Sequence, residues 1–458
     1  MNGFEHQRIK SAKLPERWRG RENLEKLHDF LQGNWEQRSV FFEDGKITSQ
    51  QQFIDFDVRD GIKLKNYIGT ICYEGETLNI FPKVYKYDYD DDETEDWKAD
   101  DLVKNLVTWL NYCNKIEYPF VSIDTGLTNA ANLFELLVSV FVHYVRKAVE
   151  IAPYRCYQDT YETSSVVKGT IDFKAYVTKQ IPNGNYHKVP YTYSNFVFDN
   201  SLNQIIKATC KMLHKLTTVR RTQDILRDIL IKFGDVSDRA CLPSDCDRIR
   251  LSRLHKRYIV ILSMCKMFLL NKVNSTEMGL SKSYCFLFPA ELLFEGFVGG
   301  YMKELFEGQA TVKCQVSDQY LASLYVDDEF KGRAFNLRED ILVQTTDAII
   351  VLDTKYKEID RFSKIGDDIS NKLGISDADM KQMAVYAIKR NATKMYLLYP
   401  LYREEKLETR KISYTIPLDN ENNGKVVMLE VLKVPFVFDT DVETYRSKLA
   451  TVLNKILA

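Results

Sequence analysis

The sequence has no long apolar run and no excess of charge of either sign. Its first eight residues lack the apolar stretch of a secretory signal, and no segment is apolar for long enough to cross a bilayer. These absences predict a cytoplasmic protein that is not inserted in a membrane. Because the formal net charge is -1 over 458 residues, contact with DNA would need a local basic face or a partner subunit.

Histidine is scarce, and cysteine occurs in an odd number. All 6 histidines precede the last third of the chain, and no serine or cysteine lies in a nucleophile-elbow pattern, which disfavours a nucleophilic enzyme. The 9 cysteines indicate reduced thiols rather than a disulfide framework. Cys241 and Cys246 form the closest pair, but they have poor zinc spacing and no second pair, so no structural metal is predicted.

Length and composition favour a globular protein of two or three domains. The chain has 458 residues, of which 45% are hydrophobic and 28% charged. Changes in pattern divide it into a β-rich module at 1–130, a mainly helical middle region at 131–285 and an α/β domain at 286–458. The predicted fold class is therefore multidomain α+β, with a mixed sheet in the last domain.

The N-terminal module is predicted from β-branched and aromatic runs. Two such runs, 67–73 and 78–83, are separated by Glu74-Gly75-Glu76, a composition that suits a hairpin. The acidic segment 88–101 follows and is typical of a solvated loop. Binding of a partner by this segment is the less favoured interpretation.

The middle region shows helical periodicity from Asn132, and further helices are predicted at 200–216 and 254–270. A cluster of basic residues lies just before the second of these helices and in its first turn, namely Arg248, Arg250, Arg253, Lys256 and Arg257. These residues are candidates for contact with DNA phosphates. A surface helix that pairs its charges with Asp245 and Asp247 is at least as consistent with the pattern.

The last region alternates helix and strand. A helix is predicted at 291–306, strands at 337–344 and 348–355, a helix at 377–390, and a strand at 394–399 that is stopped by a proline. This order indicates an α/β unit.

The chemistry is concentrated on the two predicted strands. Side chains alternate along a strand, so Asp353 and Lys355 project on the same side. If the turn centres between Thr346 and Asp347, Asp340 lies opposite Asp353. Two facing carboxylates repel one another unless a cation neutralises them, and an oxygen-rich site suits Mg²⁺ or Mn²⁺.

A metal held by these carboxylates could activate a water molecule for phosphodiester hydrolysis. Lys355 would polarise that water or neutralise the transition state. The alternative is a surface hairpin in which Asp353 and Lys355 form an ion pair of little energetic value.

Two neighbouring helices carry further candidates. Gln382 and Tyr386 lie four residues apart on one helical face, with Asp379 three residues before Gln382. They could hold a nucleic-acid backbone, although ordinary half-buried residues show the same spacing. Glu295, on the preceding helix, could provide a third carboxylate for the metal.

These residues in this order resemble the PD-(D/E)xK nuclease superfamily. More narrowly, the chain resembles the McrC family of nuclease subunits, which act with the McrB GTPase in McrBC-like and LlaJI-like restriction systems. The segments that carry this resemblance run from the N-terminal module to the last domain: Ile80-Phe81-Pro82-Lys83, Val167-Lys168-Gly169-Thr170-Ile171-Asp172-Phe173, Phe198-Asp199-Asn200-Ser201-Leu202-Asn203, Leu293-Phe294-Glu295, and Val351-Leu352-Asp353-Thr354-Lys355-Tyr356-Lys357.

The resemblance implies a Mg²⁺-dependent endodeoxyribonuclease. Asp340, Asp353 and Lys355 would form its catalytic core, Glu295 would be a fourth member, and the substrate would be double-stranded DNA. The N-terminal region would dock on an McrB-like AAA+ GTPase hexamer and stimulate it. Consistent with this, the chain has no Gly-x-x-x-x-Gly-Lys-[Ser/Thr] phosphate loop, so GTP would act through the partner.

Two alternatives remain open at this stage. A non-cutting adaptor that activates an AAA+ partner would explain why more than half of the chain lies outside the nuclease-like segment. A stand-alone RecB-like exonuclease would explain Gln382 and Tyr386.

Overall fold

A computed structural model of the chain describes residues 1–36, 50–57, 61–85, 99–113, 133–252, 255–276, 283–359, 369–402, 411–417, 426–438 and 441–457. The chain forms two compact units. The discontinuous unit is made of Met1–Leu133 with Asn274–Ala458, and the continuous unit is Phe134–Val273. The acidic segment predicted to be a loop falls almost entirely outside the described residues. In the described part of the chain, no helix combines the length and apolar character needed to span a membrane.

The first part of the discontinuous unit is rich in short strands. Its elements are β1 (Asn2–Phe4), β2 (Arg8–Lys10), α1 (Arg21–Glu36), β3 (Ile54–Asp57), β4 (Gly61–Leu64), β5 (Tyr67–Tyr73), β6 (Glu76–Phe81) and α2 (Ala99–Tyr112). The predicted hairpin is confirmed, because β5 and β6 pair antiparallel with Ile71 opposite Leu78. Glu74 and Gly75 at its turn have φ angles of 52° and 83°, as a two-residue turn between twisted strands requires.

The continuous unit is not purely helical. Its elements are α3 (Leu133–Ile151), β7 (Cys156–Ser164), β8 (Thr170–Ile171), α4 (Phe173–Ala175), β9 (Val189–Val197), α5 (Ser201–Leu216), α6 (Arg220–Lys232), α7 (Pro243–Asp247) and α8 (Lys256–Thr276). The helices predicted from residue 132 and at 200–216 and 254–270 are present. The three strands form an additional sheet, in the order β7-β9-β8, that helical periodicity does not reveal.

The second part of the discontinuous unit contains a larger sheet. Its elements are β10 (Tyr284–Pro289), α9 (Ala290–Leu305), β11 (Thr311–Val326), β12 (Glu329–Gln344), β13 (Ile349–Thr354), α10 (Asp377–Arg390), β14 (Lys394–Leu401), β15 (Ile412–Pro417), β16 (Val426–Pro435) and α11 (Val442–Leu453). The six strands from β11 to β16 run in the order β11-β12-β13-β14-β16-β15. Pairing is parallel between β13, β14 and β16 and antiparallel elsewhere, so the predicted mixed sheet is confirmed.

The two parts of the discontinuous unit share a sheet and a helical layer. β10 pairs antiparallel with β5, which extends the order to β1-β6-β5-β10. α9 packs closely on α2, because a Cβ added at Gly300 would lie 1.9 Å from the carbonyl oxygen of Tyr112. Only glycine fits this approach of two helices. The three-part division predicted from the sequence remains a prediction; the two compact units group the chain differently.

Opposite faces of the large sheet receive different helices. Leu342 and Val351 join a buried cluster with Met383 of α10. Ile341, the neighbour of Leu342, lies near Gly299 of α9, which is consistent with alternation along the strand. Asp340 lies two residues before Leu342, and Asp353 lies two residues after Val351. Because alternate side chains of a strand share a face, both aspartates lie on the face that carries Leu342 and Val351.

Candidate active site

The β12–β13 hairpin places Asp340 opposite Asp353. Ile341 pairs with Leu352, so one further step of the same register sets the two aspartates against each other. The turn is closed by a hydrogen bond of 3.0 Å from the Thr345 amide to the Ala348 carbonyl. The predicted register is therefore confirmed.

Asp353 is the more deeply buried of the two aspartates, with 1% of its surface exposed. Burial and the nearby charge of Asp340 together raise the pKa of Asp353 from 3.8 to about 6, against the opposing effect of Lys355. The Lys355 ammonium lies 2.6 Å from Asp353 Oδ2. The ion pair considered from the sequence therefore exists, but it is buried.

Lys355 is surrounded by acceptors. Besides Asp353, its Nζ contacts Gln382 Oε1 at 3.1 Å and Asp379 Oδ1 at 3.5 Å. Burial acts to lower the pKa of Lys355, but the charges of Asp353 and Asp379 outweigh it and the pKa is raised. Lys355 therefore carries its positive charge at neutral pH.

Asp340 is held by the strand it faces. Its Oδ2 accepts hydrogen bonds from the Thr354 amide at 2.9 Å and from Thr354 Oγ1 at 2.8 Å. Its Oδ1 accepts a weaker bond of 3.3 Å from Gln315 of β11. These bonds fix the orientation of the carboxylate towards β13.

Gln382 bridges the acid and the amine. Its Nε2 donates to Asp353 Oδ1 at 3.3 Å and to the Tyr386 hydroxyl at 2.7 Å. The hydroxyl in turn donates to the Arg338 carbonyl at 2.7 Å, and Tyr386 is buried. Of the two residues predicted to touch DNA, Gln382 thus contacts Asp353 directly, and Tyr386 is linked to Asp353 through Gln382. A DNA-binding role for both residues remains a prediction.

Asp379 belongs to the same group, although no catalytic role was predicted for it from the sequence. It is 6% exposed and accepts a 2.8 Å bond from Lys357. Burial acts to raise the pKa of Asp379, but hydrogen bonds from Lys357 and Ser376 outweigh it and the pKa is lowered. Its place three residues before Gln382 on one helical face is the signal that could have identified it.

Glu295 is not grouped with the two aspartates. Within the described ranges, no three His, Cys, Asp or Glu side chains come together as a possible metal site. The physical reason is that α9 meets the other face of β12, where Gly299 lies against Ile341. The assignment of Glu295 as a third metal ligand and fourth catalytic residue therefore remains a prediction, without support from this geometry.

The aspartate pair does fit a divalent cation. Asp353 Oδ2 is buried and accepts no hydrogen bond of ordinary geometry from the described residues, despite the nearby ammonium. Mg²⁺ is commonly held by one or two carboxylates, with water and substrate phosphate completing its coordination. Asp340 and Asp353 would supply that pair of carboxylates.

The basic cluster at 248–257 is partly neutralised within the continuous unit. Arg248 lies 3.5 Å from Asp245, as the alternative interpretation expected, whereas Asp247 pairs with Lys266 at 2.7 Å. Arg250 and Arg257 are exposed. Arg253 lies outside the described residues, as does the side chain of Lys256, so DNA contact by this cluster remains a prediction.

Comparisons with known proteins agree on one system. A family model described as McrBC 5-methylcytosine restriction system component matches residues 62–400. A refined half-complex from the tetradecameric assembly of Thermococcus gammatolerans McrB AAA+ hexamers with bound McrC has a chain of similar fold. It is 14% identical, with a TM-score of 0.63, and the match covers 100% of this chain and 99% of that one.

A second structure is more distant. It is a cryo-EM structure of the Thermococcus gammatolerans McrBC complex, with a TM-score of 0.48 and 15% identity, and the match covers 67% of this chain and 88% of that one. No curated protein sequence matches the chain.

Proposed function

Because the chain belongs to the McrBC family of 5-methylcytosine restriction system components, we propose that it is the DNA-cutting subunit of such a system. The reaction would be metal-dependent hydrolysis of phosphodiester bonds in double-stranded DNA. The observation that carries the proposal is the opposition of Asp340 and Asp353 with the Lys355 ammonium 2.6 Å from Asp353.

The metal that we assign to the centre is Mg²⁺, with Mn²⁺ as the other ion suited to oxygen ligands. Asp340 and Asp353 would hold it. When bound, it would neutralise charge on the phosphate and lower the pKa of a water molecule.

The residues of the chain supply the rest of the chemistry. The charged Lys355 can stabilise negative charge that develops on the phosphate oxygens during attack. Gln382 restricts Lys355 and Asp353 together, since it accepts from the ammonium and donates to the carboxylate. Thr354 holds Asp340 in place through its amide and its hydroxyl.

We also infer that the chain works with an AAA+ GTPase. The structure of similar fold contains McrB AAA+ hexamers with bound McrC. We extend that arrangement to this chain, with GTP bound by the partner. The sequence offers no phosphate loop of its own.

The test is cleavage of plasmid DNA with and without 5-methylcytosine. The full chain is assayed alone and with its AAA+ partner, GTP and Mg²⁺, beside Asp353→Asn, which has nearly the same shape and no charge. We expect cutting that needs the partner and GTP and falls by at least about a thousandfold in the variant, because both the metal and Lys355 lose a partner.

Two outcomes would contradict the proposal. If the chain stimulated GTP hydrolysis but never cut DNA, the adaptor function would be favoured. If it digested DNA from the ends without GTP, the stand-alone exonuclease would be favoured.

A further inference from the structure

Tyr356, the residue after Lys355, is held by the N-terminal module. Its hydroxyl donates a hydrogen bond of 2.6 Å to Glu5 Oε2, and its carbonyl accepts one of 3.0 Å from Lys83 Nζ. These partners precede it in the sequence by 351 and 273 residues respectively. Both ends of one residue are therefore fixed by a distant part of the same compact unit.

Glu5 is a buried carboxylate, with 0% of its surface exposed. Its Oε2 also accepts the Lys83 amide at 2.9 Å, whereas Oε1 is buried and has no hydrogen-bond partner among the described residues. Burial raises the pKa of Glu5 to about 7, although the bond from Tyr356 and the charge of Lys83 oppose the shift. Burying such a group costs stability, so its presence calls for a role other than stability.

Lys83 contacts Tyr356 in a second way. Its ammonium lies 4.4 Å from the centroid of the Tyr356 ring, within the range of a cation–π interaction. Burial lowers the pKa of Lys83, and the negative charges of Glu5 and Glu291 act against that shift. Lys83 therefore contacts both the ring and the backbone of the same tyrosine.

The backbone beside Tyr356 is fixed from the sheet as well. The Lys355 amide donates to the Leu398 carbonyl of β14 at 2.8 Å. The Tyr356 ring packs against Phe294 and Phe436, with centroids 5.9 Å and 6.0 Å away. The Lys355–Tyr356 segment is therefore held at both residues. Leu398 holds the backbone of Lys355, and Glu5 and Lys83 hold Tyr356.

We propose that Glu5, Lys83 and Tyr356, the Tyr356 cluster, are positioning residues that hold the backbone bearing Lys355 and thereby direct its ammonium to Asp353. This inference rests on the proposed function. The lysine side chain is long and flexible, so its placement depends on the backbone that carries it. A misplacement of 1 Å at a reacting group can lower a rate by about a hundredfold. The N-terminal module would then be part of the cutting machinery, in addition to any docking role.

The test removes single contacts from the cluster in the full chain, assembled with its AAA+ partner, GTP, Mg²⁺ and methylated plasmid. Tyr356→Phe deletes only the hydroxyl, and Lys83→Met deletes the ammonium while keeping the length of the side chain. We expect each to lower the cleavage rate at saturating DNA by at least about tenfold. The DNA concentration for half-maximal rate and the stimulation of GTP hydrolysis should stay close to those of the unmodified chain. The melting temperature should fall by no more than a few degrees, because each variant loses a single buried contact.

Tyr191→Phe is the matched control. The Tyr191 hydroxyl is also bonded to a carboxylate, that of Glu162 at 3.0 Å, and the tyrosine is buried, but it lies in the continuous unit. This variant should cut at the rate of the unmodified chain.

Each other outcome overturns the inference in a distinguishable way. Unchanged cutting by Tyr356→Phe and Lys83→Met, with Asp353→Asn inactive, would remove the Tyr356 cluster from the mechanism and leave the proposed function intact. A parallel fall in cutting, GTPase stimulation and melting temperature would show that the cluster only stabilises the fold. Failure of the unmodified complex to cut would overturn the proposed function and this inference with it.

Discussion

Gln382 accepts a hydrogen bond of 3.1 Å from the ammonium of Lys355. The same side chain donates to Asp353 from its other polar atom, at 3.3 Å. An amide carries one acceptor and one donor on the same carbon, so it can satisfy a cation and an anion together. The position therefore requires an amide, since a carboxylate there would repel Asp353 and an aliphatic side chain would bond to neither.

Replacing Gln382 by leucine should reduce cutting without unfolding the protein. Loss of a residue that orients catalytic groups typically costs about 10-fold to 100-fold in activity. Cleavage rates of the assembled complex would measure the effect, with Ile388→Ala, on the exposed side of the same helix, as the control. A leucine variant that cuts as fast as the unmodified chain would show that Lys355 needs no such support.

Binding of Mg²⁺ or Mn²⁺ should raise the melting temperature of the purified chain in the absence of DNA. A ligand that binds only the folded state stabilises it by about 2.7 kcal/mol at a concentration 100 times its dissociation constant. The increase should disappear in Asp340→Asn and in Asp353→Asn, and chelation should reverse it. An equal increase in all three proteins would place the cation elsewhere.

Removing Arg390 should destabilise the large sheet. Its guanidinium bonds to Glu339 at 2.9 Å and 2.7 Å, and Glu339 is 0% exposed, so Arg390→Met leaves a buried charge without its partner. Breaking a buried pair in this way costs about 3 to 5 kcal/mol, to be measured as the free energy of unfolding in urea.

The second partner of Arg390 supplies an internal control. Asp318 pairs with the same guanidinium, but its side chain is 63% exposed. Asp318→Ala should therefore cost less than about 1 kcal/mol. Equal losses from the two substitutions would mean that burial of Glu339 is not the controlling factor.

The stability of the chain should depend on pH through Glu5, whose pKa is raised by burial from 4.5 to about 7. The unfolded chain releases this proton near pH 4.5, whereas the folded protein keeps it until about pH 7. Within that window the unfolded state binds fewer protons, so this group makes the folded protein less stable as pH rises.

Glu5→Gln removes that titration. The free energy of unfolding of the unmodified chain, relative to the variant, should fall as pH rises through the window and level off above it. Urea titrations of both proteins across this range would measure the difference, with the exposed Glu329→Gln as a control for loss of charge alone. A difference that does not change with pH would contradict the prediction.

The hairpin that carries Asp340 and Asp353 could be predicted because its information is local. Apolar alternation fixes the side-chain directions, and the turn at Thr346 and Asp347 fixes the register. The helix at 377–390 was equally clear, since Ser376 caps its first turn and Asn391 ends it with a φ of 53°.

Other parts depend on contacts that no short segment contains. β11 is exposed along much of its length, so it has no apolar pattern to mark it. The strand β14 was expected to stop before Pro400, but it continues to Leu401. That expectation was wrong because β13 pairs with β14 only as far as Leu398. Beyond Leu398 no bond to β13 requires a backbone amide, so the proline can be part of the strand.

The residues that hold Asp340 and Tyr356 in place could not be predicted from the sequence for the same reason. Gln315 and Thr354 reach Asp340 from different strands, and Glu5 and Lys83 reach Tyr356 from the far end of the chain. Side-chain type and spacing in the sequence do not indicate these contacts, which depend on the tertiary fold.

The pairing of β5 with β10 has a consequence for how the protein is made. The Glu74 amide bonds to Ser283 Oγ, 209 residues later, at the edge where these strands meet. While the ribosome adds the intervening residues, β5 presents an uncovered edge, which is a site for chaperone binding or mispairing. The N-terminal sheet can be completed only after residue 289 has emerged, so its assembly, like that of the β12–β13 hairpin, has to wait for the second half of the chain.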